Sequence, residues 1–220
     1  IEIVAGVDPV DCRDNGYPVF PSIDKCTVEA DVIIDFTSAK AVDGLIAYSA
    51  EKKVPVVLCT TGLSEEQLKR LEEASSQVAV LRSANMSLGI NMLMKILQDA
   101  AKILVPAGFD IEIVEKHHNR KLDAPSGTAI TLAEGILENI DRKDRWTLEN
   151  AESATDLPIH AIREGEVPGI HEITYESDVD MISIKHDAKS RAGFALGAVI
   201  AAEFTAGKKG FLGMNDLFKF

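Results

Sequence analysis

The sequence predicts an α/β fold that combines a parallel-sheet domain with a second, α+β domain. In the first half, short and nearly continuous apolar runs alternate with amphipathic helical stretches, which is typical of a doubly wound parallel sheet. From Ser87 onward, a long amphipathic stretch is followed by segments in which apolar and polar residues alternate, as in a sheet with a mostly open face. The 220 residues allow one large domain or two small ones.

Four apolar runs predict the parallel strands of the first domain, and they lie at residues 1–7, 31–36, 54–59 and 78–81. Two helices are predicted between the later runs. After Ser38, the residues Val42, Leu45 and Ile46 recur on one helical face. Residues 64–67 read Ser-Glu-Glu-Gln, a capping box that begins the second helix.

The second half predicts a different arrangement of elements. Helices are expected at residues 87–104, 130–137 and 194–204, and the last is small and apolar enough to be buried. Alternating strands are expected at residues 111–114, 159–163, 170–175 and 181–186. We therefore expect one domain from residues 1–88 and 193–220 and another from residues 89–192.

Composition excludes several classes of function. The formal net charge of -12 and the sequence pI near 4.9 would repel nucleic acid and anionic membranes. No apolar run approaches the roughly 18 residues that span a bilayer. Cys12, Cys26 and Cys59 show neither a disulfide framework nor a metal-ligand spacing, which fits a reducing, cytoplasmic setting. The remaining partner class is a small molecule.

The densest polar segment is residues 115–129, between a predicted strand and a predicted helix. His117 and His118 can exchange a proton near neutral pH, and Lys121 adds a positive charge. Residues 125–128 read Pro-Ser-Gly-Thr, and the unpaired N–H groups of the next helix can cradle a carboxylate or a phosphate. The alternative is a solvated loop whose serine merely caps the helix. The convergence of these groups at one junction favours a ligand site.

The same segment, E-x-H-H-x-x-K-x-D-A-P-S-G-T-A from Glu115 to Ala129, resembles the signature of the dihydrodipicolinate reductase family. Other matches occur in the family's order and cover nearly the whole chain. They are Asp35-Phe36-Thr37, Thr60-Thr61-Gly62, Ala84-Asn85-Met86-Ser87, Asn91, Arg163-Glu164-Gly165 and Ser190-Arg191.

This resemblance implies an NADH- or NADPH-dependent reduction of a cyclic dicarboxylate, with loss of water, in diaminopimelate and lysine biosynthesis. His117 would be the acid/base residue, assisted by Lys121. The substrate would be bound by His118, Lys121, Ser126, Gly127 and Thr128. Residues 89–192 would form the substrate-binding domain and assemble a homotetramer. No metal is implied.

The resemblance also implies the cofactor site, at the carboxyl ends of the parallel strands. Its residues would be Phe36, Thr60, Thr61, Gly62, Ala84, Asn85, Met86 and Arg191. Cys59 stands where the family usually has glycine, and its thiol would leave less space for the nicotinamide end of the cofactor. Arg191 and Arg163 could equally be structural ion-pair partners. Asp8 ends the first strand and would accept hydrogen bonds from a ribose, favouring NAD, unless it only forms a turn.

The glycine-rich phosphate loop is the missing feature. In dinucleotide-binding folds it lies roughly 20 residues before the acidic residue, which here is Asp8. The sequence thus predicts a truncated Rossmann-like domain without its first strand, loop and helix. Either the protein is longer, or the remaining strands pair differently, and dinucleotide affinity is expected to be weak or lost. The alternative function is a non-catalytic relative that binds, assembles or regulates.

Overall fold

The computed structural model describes residues 1–11 and 13–218, which fall into two compact units. The first unit comprises Ile1–Met86 and Phe194–Phe220, and the second comprises Ser87–Gly193. The functional roles that the sequence suggests for two domains stay predictions. Among the described residues, no helix is long and apolar enough to cross a membrane.

The first unit is built from short parallel strands and helices. Its strands are β1 (Gly6–Val7), β2 (Val19–Phe20), β3 (Ile33–Asp35), β4 (Val56–Leu58), β5 (Ala79–Arg82) and β11 (Gly210–Leu212). Its helices are a 3-10 turn (Ile23–Lys25), α1 (Ala39–Lys52), α2 (Glu65–Ser75), α5 (Ala192–Thr205, which begins in the second unit) and α6 (Met214–Leu217).

A four-stranded parallel sheet in the order β11-β5-β4-β3 forms the centre of this unit. The central strand β4 is buried along its whole length, which explains its continuous apolar run. Val42, Leu45 and Ile46 of α1 and Leu71 of α2 pack in the same apolar cluster as Val56 and Leu58 of β4. Ser64 caps α2 in the predicted capping box with Gln67. The predicted strands and helices of residues 31–81 are therefore confirmed.

The prediction of a strand over residues 1–7 is wrong for its first five residues. Only β1 forms a ladder, and its parallel partner β2 offers just two residues, Val19 and Phe20. Ile1, Ile3 and Val4 are exposed. Among the described residues, the β1-β2 pair is not hydrogen bonded to the four-stranded sheet.

Helix α5 forms as predicted, but it is not buried on all sides. Its buried face consists of small residues, among them Gly197 and Ala201, while Leu196 is 59% exposed. A Cβ on Gly197 would lie 1.7 Å from the carbonyl oxygen of Met86. The small residues on this face therefore let the backbone of α5 lie close to the backbone at Met86.

The second unit is an α+β domain. Its strands are β6 (Asp110–His117), β7 (Arg145–Leu148), β8 (Asp156–Arg163), β9 (Ile170–Glu176) and β10 (Met181–Asp187), and its own helices are α3 (Leu88–Leu104) and α4 (Gly127–Leu137). They form a mixed sheet in the order β10-β9-β6-β8-β7. Strand β6 runs parallel to β8 and antiparallel to β9.

One face of this sheet is covered by α3 and α4. Leu97 of α3, Leu132 of α4 and the strand residues Ile113, Ile159 and Ile173 are fully or almost fully buried in one cluster. The edge strand β10 is largely exposed. The prediction of an α+β domain with a mostly open sheet is confirmed.

Candidate active site

The candidate site lies at the carboxyl end of β6, on the covered face of its sheet. Ile111 and Ile113 point into the core, and the period of two continues through Glu115 and His117 on the same face. Glu115 is 0% exposed and His117 is 8% exposed. The apolar stripe of the strand thus ends in two buried ionisable groups.

Glu115 is the most heavily bonded residue of the site. Its Oε1 accepts hydrogen bonds from Nη2 of Arg163 at 2.8 Å and from the backbone N–H of Ser126 at 3.1 Å. Its Oε2 contacts Nδ1 of His117. Burial alone would raise the pKa of Glu115, but the hydrogen bonds from His117 and Arg163 outweigh it and lower the pKa to about 2. Glu115 is therefore a buried carboxylate that stays ionised.

The ring of His117 is enclosed by residues of β6 and β9 and by Gly169, which directly precedes β9. The imidazole of His171 on β9 lies edge-on, with ring centroids 5.2 Å apart. A Cβ on Gly169 would come within 3.1 Å of Nε2 of His117, so any larger residue there would press on the ring. The ring position is consequently defined on three sides, by Glu115, His171 and Gly169.

His171 connects this group to the start of α4. Its Nε2 lies 3.3 Å from Oγ of Ser126, and that oxygen also caps α4 by accepting from the N–H of Ala129. Burial and the nearby His117 lower the pKa of His171 to about 3. His171 is therefore a neutral imidazole at physiological pH.

Donor atoms of Glu115, His117 and His171 lie within 4.8 Å of one another, a set that could in principle hold a metal ion. The surroundings do not fit a divalent cation. The Arg163 guanidinium and the Ser126 N–H already bind the carboxylate, and a cation would have to displace that positive charge. The cluster is therefore a hydrogen-bonded network.

The loop after β6 carries the predicted cationic group. Nζ of Lys121 lies 2.9 Å from Oδ1 of Asp123, and this hydrogen bond lowers the pKa of Asp123. Nδ1 of His118 is buried and has no hydrogen-bond partner among the described residues. Arg120 donates two hydrogen bonds of 2.6 Å to Glu166, which tie this loop to the loop after β8. The carboxyl ends of two parallel strands thus carry one connected surface.

The predicted anion-binding residues lie at the start of α4, directly after the loop that carries Lys121. Ser126 is the buried N-cap, Gly127 is exposed, and Thr128 is half-buried. A Cβ on Gly127 would meet nothing within 4 Å, so open space lies beside the first turn. The N–H of Gly127 donates to the carboxylate of Asp123, and the N–H of Ala129 donates to Oγ of Ser126. The structure therefore brings His117 and Ser126 together through Glu115, beside an open helix start.

The predicted cofactor residues lie at the carboxyl ends of β3, β4 and β5 in the first unit. Phe36 is 55% exposed, and Thr61, Gly62 and Ala84 are also exposed. Gly62 has a φ of +73°, which favours glycine. These strand ends present a run of accessible residues along one sheet edge, as ligand sites of open α/β sheets do.

Other predicted cofactor residues are buried. The hydroxyl of Thr60 donates to Oδ2 of Asp35 at 2.6 Å, and Thr37 donates to the other oxygen of the same carboxylate at 2.6 Å. Asn85 is half-buried and Met86 is 2% exposed. Burial raises the pKa of the Cys59 thiol to about 12, with a smaller contribution from the Asp35 charge. Asp35, which the sequence marks only as part of a family match, accepts hydrogen bonds from Thr37 and Thr60 and so holds these two strand ends together.

The sequence leaves two roles open for each of Asp8, Arg163 and Arg191. Oδ1 of Asp8 accepts hydrogen bonds from the N–H groups of Val10 and Asp11, at 2.9 and 3.2 Å, so the turn does form. Arg163 is the ion-pair partner of Glu115. Arg191 is exposed immediately before α5.

Comparison with known proteins covers both units. The family model described as "Dihydrodipicolinate reductase, N-terminus" matches residues 4–86, and "Dihydrodipicolinate reductase, C-terminus" matches residues 89–218. The chain belongs to the dihydrodipicolinate reductase family. The resemblance that the motifs of the sequence indicate is thereby confirmed.

Individual relatives agree with the family models. A protein of Caldanaerobacter subterraneus subsp. tengcongensis named 4-hydroxy-tetrahydrodipicolinate reductase is 45% identical, over 99% of this chain and 88% of its own length. One of the same name from Clostridium novyi is 44% identical, over 100% of this chain and 88% of its own length. The solved structure of a "Dipicolinate bound Dihydrodipicolinate reductase" from Paenisporosarcina sp. TG-14 has a TM-score of 0.79 at 26% identity, covering 96% of this chain and 87% of that one.

Proposed function

We propose that this protein is a 4-hydroxy-tetrahydrodipicolinate reductase that uses NADH or NADPH in diaminopimelate and lysine biosynthesis. The observation that carries the proposal is the buried Glu115–His117 pair beside the open start of α4, in a member of this family. A proton-exchanging imidazole next to an anion cradle is suited to reduction of a cyclic dicarboxylate.

The substrate carboxylates would bind to the loop after β6 and to the start of α4. Lys121 would exchange its contact with Asp123 for a carboxylate of the substrate. Ser126, Gly127 and Thr128 would supply hydroxyl and N–H donors to the same group, and His118 would assist from the loop. Dipicolinate, present in the related Paenisporosarcina structure, has the two carboxylates that this arrangement would bind.

The reaction requires one proton as well as one hydride. When a hydroxylated ring is reduced with loss of its hydroxyl group, the leaving oxygen departs as water and takes up a proton. His117 is the group we assign to that proton transfer, with Lys121 adding positive charge beside the site. NAD(P)H supplies the hydride when it is bound.

The cofactor would be bound at the carboxyl ends of β3, β4 and β5. The exposed positions Phe36, Thr61, Gly62 and Ala84 fit a ligand there, whereas Thr60 and Met86 support the edge from the buried side. Asn85 and Arg191 complete the proposed set. Asp8 would favour NADH by accepting from the ribose hydroxyls with the oxygen that the turn does not use.

We further propose that the two units have separate roles. The first would bind the nucleotide, and the second would bind the substrate and assemble a homotetramer. Free Cys26 and Cys59 are consistent with a cytoplasmic enzyme.

The test is consumption of NADH or NADPH in the presence of freshly prepared 4-hydroxy-tetrahydrodipicolinate. We expect His117→Gln to reduce kcat by about 10²-fold or more. His160→Gln on β8, which removes a histidine from the other face of the sheet, is the matched control and should leave kcat unchanged. Equal loss of kcat in both variants, or in neither, would contradict the role of His117.

A further inference from the structure

We propose that Glu115 is the positioning residue of the reaction: it fixes His117 in one tautomer and anchors the start of α4 at the same time. The inference rests on the proposed function, because it assigns a role to a neighbour of the acid/base residue. Glu115 is part of the family signature, but the sequence alone assigns it no role.

The two oxygens of Glu115 divide their contacts between the two halves of the site. Oε2 binds His117, whereas Oε1 binds Arg163 and the N–H of the helix cap Ser126. The imidazole and the anion cradle are thus held by one side chain that is 0% exposed. Movement of Glu115 would disturb both, which makes it a shared anchor.

The charge state of Glu115 determines which nitrogen of His117 carries a proton. An ionised carboxylate only accepts hydrogen bonds, so Nδ1 of His117 must be the donor. Nε2 then remains as the nitrogen that exchanges a proton with a ligand. Arg163 keeps the carboxylate ionised in this buried position, because an unpaired buried charge would be neutralised.

The charged and titratable groups around His117 come from every neighbouring element. On the strands they are Glu115 on β6, Arg163 on β8, His171 on β9 and, beyond His171, His186 on β10. In the loop after β6 they are Lys121 and Asp123. Glu115 is the negative group in direct contact with the ring. Glu115→Gln should therefore remove the negative group that holds the ring.

Glu115→Gln is the variant that isolates the charge, since glutamine keeps an oxygen for the Ser126 N–H and nearly the same volume. Glu112→Gln on the same strand is the matched control, because Glu112 lies on the opposite face and its side chain is 47% exposed. Glu115→Asp restores the charge and should recover part of the activity. Trp146, the single tryptophan, reports whether the second unit is folded in each variant.

The first measurement is nitrogen-15 NMR of labelled imidazoles, with the signal of His117 among the five histidines identified from His117→Gln. We expect wild-type His117, in its neutral form, to be protonated at Nδ1, and Glu115→Gln to lose this preference. A wild-type ring protonated at Nε2 would overturn the proposal, even if the variant fails to fold.

The second measurement is steady-state kinetics, with kcat and KM determined separately for each variant. By analogy with carboxylate–histidine pairs in other enzymes, we expect Glu115→Gln to lower kcat by about 10²- to 10⁴-fold with little change in KM. An unchanged kcat in a folded Glu115→Gln variant would overturn the inference. Absence of reduction by the wild-type protein would instead count against the proposed function, while the imidazole spectrum still tests Glu115.

Discussion

Replacing Arg163 with methionine tests the electrostatic account of the buried site. Methionine keeps much of the length of the side chain but removes the guanidinium. The variant loses the 2.8 Å hydrogen bond to Glu115 and a 2.6 Å hydrogen bond to the carbonyl oxygen of Asp123. Glu115 keeps its contacts with His117 and the Ser126 N–H.

The structure sets the size of the expected effect. The pKa of Glu115 is lowered from 4.5 to about 2 in the folded protein, which corresponds to about 3 kcal/mol of stability from all of its partners together. Breaking a buried ion pair costs about 3–5 kcal/mol when the remaining charge has no partner. Because Glu115 keeps two partners, we expect Arg163→Met to lower the free energy of unfolding by about 2 kcal/mol.

Urea denaturation followed by Trp146 fluorescence measures this change in the second unit, where the tryptophan packs against the core. A carboxyl group with a lowered folded-state pKa stabilises the fold above its unfolded pKa and loses that contribution as pH falls. Wild type and Arg163→Met should therefore differ most in their free energy of unfolding at pH 7. This difference should decrease as the pH falls from about 4.5 to about 2.

Arg120→Met is the matched control, because it breaks an arginine–glutamate pair whose side chains are 70% and 74% exposed. We expect it to cost less than about 1 kcal/mol. Equal effects of the two variants, or a difference that is independent of pH, would refute the assignment of a buried, ionised Glu115.

The remaining predictions concern other parts of both units. Lys121→Met should weaken calorimetric binding of pyridine-2,6-dicarboxylate by about tenfold or more, and unchanged binding would count against the cradle. Gly197→Ala should lower the free energy of unfolding, measured by urea denaturation, by about 3 kcal/mol or more, because the new Cβ would collide with the Met86 carbonyl oxygen. Gly193→Ala on the same helix is the control and should leave the free energy of unfolding nearly unchanged, because a Cβ at Gly193 would meet nothing within 4 Å. Gly169→Ala should reduce kcat by pressing on the imidazole of the site, and a wild-type rate would contradict that contact.

Much of the fold is predictable from the sequence because its signals are local. The apolar runs of β3, β4 and β5, the capping box at Ser64 and the apolar face of α1 each follow from neighbouring residues. The strands that the sequence does not predict are β2, β7 and β11, which have between two and four residues. Such short strands form only because a partner strand is already in place.

The candidate site is likewise predictable only where its residues are close together in the sequence. His117, Lys121 and Ser126 are recognisable because they occur within one short segment. The role of Glu115 depends on strand register, which places it opposite His171 on β9 and brings Arg163 of β8 within reach. Those residues lie 56 and 48 positions further along the chain, so the sequence left Arg163 open between ligand binding and an ion pair.

The most direct test of the account is the reductase reaction itself. Because the sequence predicts weak dinucleotide binding, NADH or NADPH is supplied in large excess. The protein should then oxidise it when 4-hydroxy-tetrahydrodipicolinate is added. The His117→Gln variant should lose most of the rate and still bind pyridine-2,6-dicarboxylate. A folded wild-type protein that binds the dicarboxylate and the nucleotide but transfers no hydride would contradict the account.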